Sequence, residues 1–233
     1  MSAISFVHKL HHPIDLTSAF IVTKTLQGIR NQQSTLSQRL LPITKSILHA
    51  LIAALPFAVT NQYQLALWKA LFLLTFHGCM RAGEVTLANN RQNLIQTSQV
   101  QLAQDAVCIS FRAYKHSQGA TPTITISADP SPATCPVSSL RNYLAYRGST
   151  PGPLFIHQDS SAVTRQQFSE KLKATSTICN LPSHSYNTHS FRVGRATQMA
   201  TDGQSDQTIR TAGRWKSSAF PRYIRPTNFV LPH

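Results

Sequence analysis

The stretch QLALWKALFLLTF, residues 64–76, constrains the fold of this 233-residue chain more than any other. Its apolar side chains occupy most faces of a helix rather than one stripe. A helix with a single apolar stripe can lie on a surface, whereas one that is apolar nearly all round must be surrounded. The pattern therefore predicts a central helix, ending at His77–Gly78 and wrapped by other elements. Lys69 interrupts the run 65–76 and Pro56 breaks the apolar run 51–59, so neither stretch reads as a membrane span.

The remaining segments supply the wrapping. Residues 15–30 space Leu16, Phe20, Ile21 and Leu26 at helical intervals, with Asp15 or Thr17 as cap, and the polar run 31–38 reads as a linker. A helix follows from Pro42 to about Pro56. VCISF (107–111) and TITIS (123–127) are β-branched runs separated by RAYKHSQGATP, which predicts a β-hairpin with Lys115 close to its turn. Helical patterns return at 136–147 and 164–178, then from His189 to Asp202–Gly203 with Asn187 or Thr188 as cap. A further helix, SDQTIRTA, closes at Gly213 as its C′ residue, and a last short one from Ser218 carries Tyr223. Pro221 then falls in a first turn, where its missing N–H is no loss. The fold class is mainly α with one small antiparallel β-sheet, an α+β arrangement.

Charge narrows the choice of partner. Lys and Arg number 22 against 8 acids, a net charge of +14. Such an excess attracts polyanions, and nucleic acid is the commonest. The acids Asp15, Glu84, Asp105, Asp129, Asp159, Glu170, Asp202 and Asp206 are scattered singly. Paired-cation phosphodiester chemistry needs converging carboxylates, so the sequence points to chemistry without metal. Cys79, Cys108, Cys135 and Cys179 lack CxxC spacing and read as reduced thiols of an intracellular protein. His8, His11 and His12 cluster without a nearby cysteine or carboxylate, a poor zinc set.

Candidate chemistry lies in three places. THSFRVGRA sets His189 and Arg192 three apart on one helical face, suited to a phosphate oxygen and a proton in transit. GRWKSSAFPRYIR sets Gly213 and Tyr223 ten apart. FHGCMRAGEVT places Arg81 just after the buried helix, with Glu84 three residues on. Each alone is a weak signal.

Taken in order, Arg81, the hairpin Lys115, HxxR and the Gly-to-Tyr spacing resemble the catalytic domain of tyrosine recombinases and phage-type integrases, over roughly residues 40–225. RLLPIT, GCMRAGEVT, HSFRVGRAT and GRWKSSAFPRYIR are similar to the recombinases of eukaryotic DIRS-like, Ngaro-like and Crypton elements. The resemblance implies the fold of a DNA breaking-rejoining enzyme over 39–233. It implies that residues 1–38 are a truncated remnant of the helical DNA-clamping domain. Tyr223 would be the nucleophile, Arg81 and Arg192 the ligands of the non-bridging oxygens, and Lys115 the acid for the leaving 5′-oxygen. His189 would move the tyrosine proton and Glu84 would orient its neighbours. No cofactor is implied. The implied partners are double-stranded DNA and further copies of the chain, as a tetramer on two duplexes, in the nucleus.

One position departs from the family pattern. The family has His or Trp directly after the glycine that precedes tyrosine by ten, whereas Arg214 stands there and Trp215 follows. Strict counting favours Arg214 as the phosphate contact. A shift of one residue gives the role to Trp215, whose indole N–H can donate, and both remain candidates. In the tail, Phe229, Val230 and Leu231 could dock on a neighbouring protomer, as the carboxy-terminal segment does in related recombinases, but Pro226 and Pro232 disfavour a helix and a disordered tail is an equal alternative. Arg91, Arg112, Arg141, Arg147, Arg165, Lys171 and Lys173 are candidate backbone contacts. The competing functions are a DNA-binding protein without catalysis and a type IB topoisomerase.

Overall fold

In the computed structural model, residues 40–87, 93–111, 122–215 and 220–225 are described. Helix α1 spans Lys45–Ala54, capped by Thr44, whose hydroxyl accepts the Ile47 N–H at 3.3 Å. Helix α2 spans Gln62–His77, capped by Asn61, whose side chain accepts the Gln64 N–H at 2.9 Å. It is the central helix the sequence predicts, with Ala66, Leu67, Trp68 and every residue from Ala70 to Phe76 buried. Short helix α3 is Ala82–Val85 and α4 is Pro136–Arg147, with Pro136 in its first turn. Helix α5, Arg165–Ile178, starts with Thr164 and Gln167 exchanging hydrogen bonds. Helices α6, Ser190–Thr201, and α7, Asp206–Gly213, complete the set, followed by a 3-10 turn at Phe220–Tyr223.

Packing around α2 follows from its side chains. It contacts α1, α4 and α6. Phe72 meets Phe168 of α5 at 5.7 Å and Phe191 of α6 at 5.2 Å between ring centroids. On another side the Tyr63 hydroxyl donates to the Ile156 carbonyl at 3.0 Å. The chain before α1 crosses α6 closely. The Ile43 N–H donates to Ser190 O at 3.1 Å, and a Cβ on Gly194 would lie 1.9 Å from the Ile43 carbonyl oxygen. Glycine is therefore required at 194, which fixes the glycine of the HSFRVGRAT segment to packing rather than chemistry.

The sheet has three antiparallel strands in the order β1 (Val100–Leu102), β2 (Ala106–Ser110) and β3 (Thr123–Ser127). Ala106 pairs with Ser127 and Ser110 with Thr123, as a hairpin requires. Val107 and Ile109 of β2 are fully buried, the period-two signature of one covered face. Strand β1 is the difference from the sequence reading, which finds only two strands. Three residues, VQL, are too few for alternation to show. Lys115, the proposed helix at 15–30, the DNA-clamp remnant 1–38, the histidines 8, 11 and 12, Arg91, Arg112 and the tail after 225 lie outside the described residues.

Three boundaries also differ. Helix α6 begins at Ser190, and its N-cap is His189 rather than Asn187 or Thr188; no side chain caps it, and Asn187 instead accepts the N–H of His189 itself at 2.8 Å. The left-handed residue ending α7 is Arg214, at φ 54°, and not Gly213. Glycine is needed at 213 for a different reason, because a Cβ there would sit 1.7 Å from the Trp215 ring. Tyr223 rides on the 3-10 turn, in which Pro221 is the second residue, and Ser218 is not among the described residues. No helix among the described residues is long and apolar enough to cross a membrane.

Candidate active site

The end of α2, the start of α6 and the turn after α7 meet at one place. Arg192, on the first turn of α6, is 1% exposed. One guanidinium nitrogen donates to the Cys79 carbonyl and the other to the Gly213 carbonyl. Cys79 adopts φ 47°, a left-handed conformation rare for a residue with a side chain. Strain of this kind persists only where the surroundings impose it, and here its carbonyl holds the arginine. Above the guanidinium lie two rings. Its Cζ is 4.3 Å from the Trp215 ring centroid and 5.6 Å from that of Tyr223. Arg192 thus has carbonyl oxygens on one side, aromatic faces on another, and no carboxylate paired with it among the described residues. Burial lowers its proton affinity, yet a guanidinium keeps its charge in proteins.

Tyr223 is the meeting point of the cluster. Its ring centroid is 5.2 Å from that of His189 and 4.8 Å from that of Trp215. The backbone of its turn is tied to α6, because Thr197 Oγ1 donates to Tyr223 O at 3.3 Å and accepts the Arg225 N–H at 3.1 Å. Phe220, three residues earlier, is buried with Ala196, Met199 and Ile209. His189 is held below the ordinary imidazole pKa by burial first, then by the charges of Arg192, Arg225, Arg165 and Arg81. Both effects favour its neutral form. The Trp215 indole N–H is buried and has no hydrogen-bond partner among the described residues.

The second half of the cluster is ionic. Glu84, 6% exposed, receives the Arg81 backbone N–H at 2.8 Å and the Arg81 guanidinium at 2.9 Å. Its carboxylate also binds the Arg214 guanidinium at 2.6 Å. Arg214 reaches the Gly78 carbonyl at 3.3 Å and lies 4.3 Å from the centroid of the Phe111 ring. The Arg81 side chain is 52% exposed and the Arg214 side chain only 9%.

The structure thus brings His189, Arg192, Trp215 and Tyr223 into one cluster and Arg81, Glu84 and Arg214 into an adjoining one. Sequence reasoning missed the groups that hold them: the carbonyls of Cys79, Gly78 and Gly213, the Phe111 ring, and the charge of Arg225 near His189. Only the glycines leave a trace in the sequence. Among the described residues no three His, Cys, Asp or Glu side chains are grouped to hold a metal ion.

Models of known protein families and sequences of curated proteins give no match to this chain. Solved structures do. The XerH site-specific recombinase bound to its difH substrate superimposes with a TM-score of 0.61 at 15% identity, over 80% of this chain and 50% of that one. For the XerA recombinase the TM-score is 0.62 at 16% identity, over 82% and 60%. For the Tn1549 transposon integrase in complex with transposon right end DNA it is 0.56 at 12% identity, over 81% and 62%. These structural neighbours are tyrosine recombinases and integrases, and the mostly helical fold with a three-stranded antiparallel sheet is that of their catalytic domain. The chain spans about half to three-fifths of the length of these solved structures.

Proposed function

We propose that this chain cleaves and rejoins DNA through a covalent bond between Tyr223 and phosphate. The observation that carries the reading is the convergence of His189, Arg192 and Trp215 on the Tyr223 ring, in a fold shared with tyrosine recombinases. Tyrosine, with an ordinary pKa near 10, attacks poorly at pH 7, so the site must supply a base and a stabilised phosphorane. Neutral His189 accepts the phenol proton as the tyrosine oxygen bonds to phosphorus. The bond to the 5′-oxygen breaks, Lys115 donates the proton that makes it a hydroxyl, and the 3′-phosphate stays on Tyr223. Arg81 and Arg192 hold the non-bridging oxygens, together with the Trp215 N–H. Because Arg192 has carbonyl partners and no carboxylate among the described residues, no ion pair cancels its charge, and once the Trp215 and Tyr223 rings move aside an anion meets it in low dielectric, where such stabilisation is strongest. Reversal by a 5′-hydroxyl rejoins the strand without a nucleotide cofactor.

The solved neighbours include a recombinase bound to its DNA substrate and an integrase bound to transposon DNA. The net charge of +14 suits the same partner here. We extend the proposal to a mobile-element recombinase of the DIRS-like, Ngaro-like or Crypton kind, acting in the nucleus as a tetramer on two duplexes.

A pool of nicked duplexes of randomised sequence tests the reading. The nick lets the short 5′-ended strand diffuse away after cleavage, so the covalent intermediate accumulates and survives SDS. Adducts with the unaltered chain and none with Tyr223→Phe are the expected result. The second reading, DNA binding without cleavage, is favoured by one observation. Arg192 is covered by the Trp215 and Tyr223 rings and must be uncovered to meet phosphate. Salt-sensitive duplex binding without any adduct would establish it.

A further inference from the structure

Arg214 occupies the position where strict counting expects a phosphate ligand, but its surroundings leave little for a phosphate to bind. One terminal nitrogen is on Glu84 and the other faces the Gly78 carbonyl, while Phe111 lies against the guanidinium. Its Nε is buried without a partner, and the whole side chain is 9% exposed. The next residue goes the other way. Trp215 lies against Arg192 and Tyr223, with an unpartnered N–H. The left-handed backbone at Arg214 separates these two neighbours at the end of α7.

We propose that Arg214 is a positioning residue, which holds the polar groups of the site in register and leaves the phosphate contact to Trp215. The inference rests on the recombinase reading above. Each of the three contacts of Arg214 leads to a different part of the site. Glu84 holds the backbone and side chain of Arg81. Gly78 adjoins Cys79, whose carbonyl receives Arg192. Phe111 directly follows β2 and precedes Lys115 by four residues. A planar guanidinium can donate in two directions and stack at once, whereas an ammonium is a point donor without a face. The identity of residue 214 as arginine, rather than any cation, is what the arrangement uses.

The experiment compares covalent adduct formation on two versions of a duplex recovered from the randomised pool. One has an ordinary scissile phosphodiester. The other has a methylphosphonate there, which lacks the charged non-bridging oxygen and so makes an arginine ligand of that oxygen dispensable. Arg214→Lys keeps a cation beside Glu84 and so avoids the folding failure that Arg214→Ala risks. It is expected to slow adduct formation roughly tenfold to a hundredfold through misplacement alone, with unchanged duplex affinity. The deficit should persist on methylphosphonate, where Arg192→Ala recovers. Combining Arg214→Lys with Glu84→Gln should do no more harm than the worse single variant, since the pair acts as a unit. Recovery of Arg214→Lys on methylphosphonate, or an unaltered rate on the diester, overturns the positioning role. Absence of adducts with the unaltered chain overturns the recombinase reading itself, and the role of Arg214 falls with it.

Discussion

Two arginines are buried side by side here and are held by opposite means. Arg214 faces the carboxylate of Glu84, whereas Arg192 faces two carbonyl oxygens and two aromatic rings. A buried ion pair satisfies its own charges and has little left for a ligand. A buried cation held only by dipoles and ring faces keeps its net charge and attracts the next anion to arrive. On the proposed reading the difference separates a brace from a binding site, although both residues are arginines in short, charged motifs.

The largest expected effect lies on the brace. Glu84→Ala leaves Arg214 buried without its counter-charge and takes the partner from the Arg81 backbone N–H. Breaking a buried pair from one side typically costs ~3–5 kcal/mol, and chemical denaturation should find a loss of that size. An unfolding free energy within about 1 kcal/mol of the parent would mean that the pair behaves as a surface salt bridge, and the contrast between the two arginines would weaken.

A third buried base shows what happens when a proton can leave. His77, at the end of α2, has its pKa lowered from 6.5 to about 4, first by burial and then by the charge of Arg195. Unlike a guanidinium, an imidazole escapes burial by staying neutral. Its folded pKa lies below the unfolded one, so the unfolded chain binds more protons between these values. Stability is therefore full above pH 6.5 and falls as pH drops toward 4, by ~3 kcal/mol for a change of this size. His189, also shifted down, adds to the same slope. Denaturation curves across that window should show the decline, and His77→Gln should flatten much of it. A slope unchanged in His77→Gln would remove His77 from the account.

The contrast between brace and binding site is only half visible in the sequence. Helix α2 is legible because a side chain on every face is apolar, and α4 and α5 because helical patterns run through 136–147 and 164–178. The candidate site residues are legible as motifs, since His189 and Arg192 share a helical face and Tyr223 stands ten residues after Gly213. What lies between them is not. The carbonyls of Cys79 and Gly213 leave no mark of their own, because any residue has a carbonyl and only the backbone path aims it. Phe111 reads as an ordinary strand residue. The allocation of Arg214 and Trp215 is equally hidden, since it depends on one left-handed residue at the end of α7. Sequence rules place such a residue at Gly213. The Trp215 ring instead uses the missing side chain of that glycine, and the turn moves one residue on.

That displaced turn leads to the smallest stability effect and the sharpest separation of the two arginines. Trp215→Phe keeps an aromatic face over Arg192 while removing the buried, unpartnered N–H. In the folded chain that N–H is a liability, because an unsatisfied buried donor loses its hydration without gaining a partner. Stability should therefore stay level or rise by up to about 1 kcal/mol. In the reacting complex as proposed, the same N–H gains a charged oxygen, a bond worth roughly 1.5–3 kcal/mol. Its loss should slow adduct formation by about tenfold to a hundredfold. An opposite movement of stability and rate distinguishes a donor kept for the substrate from one that is merely buried. If both fall together, Trp215 acts through packing on Arg192, and the ring rather than its N–H is what the site requires.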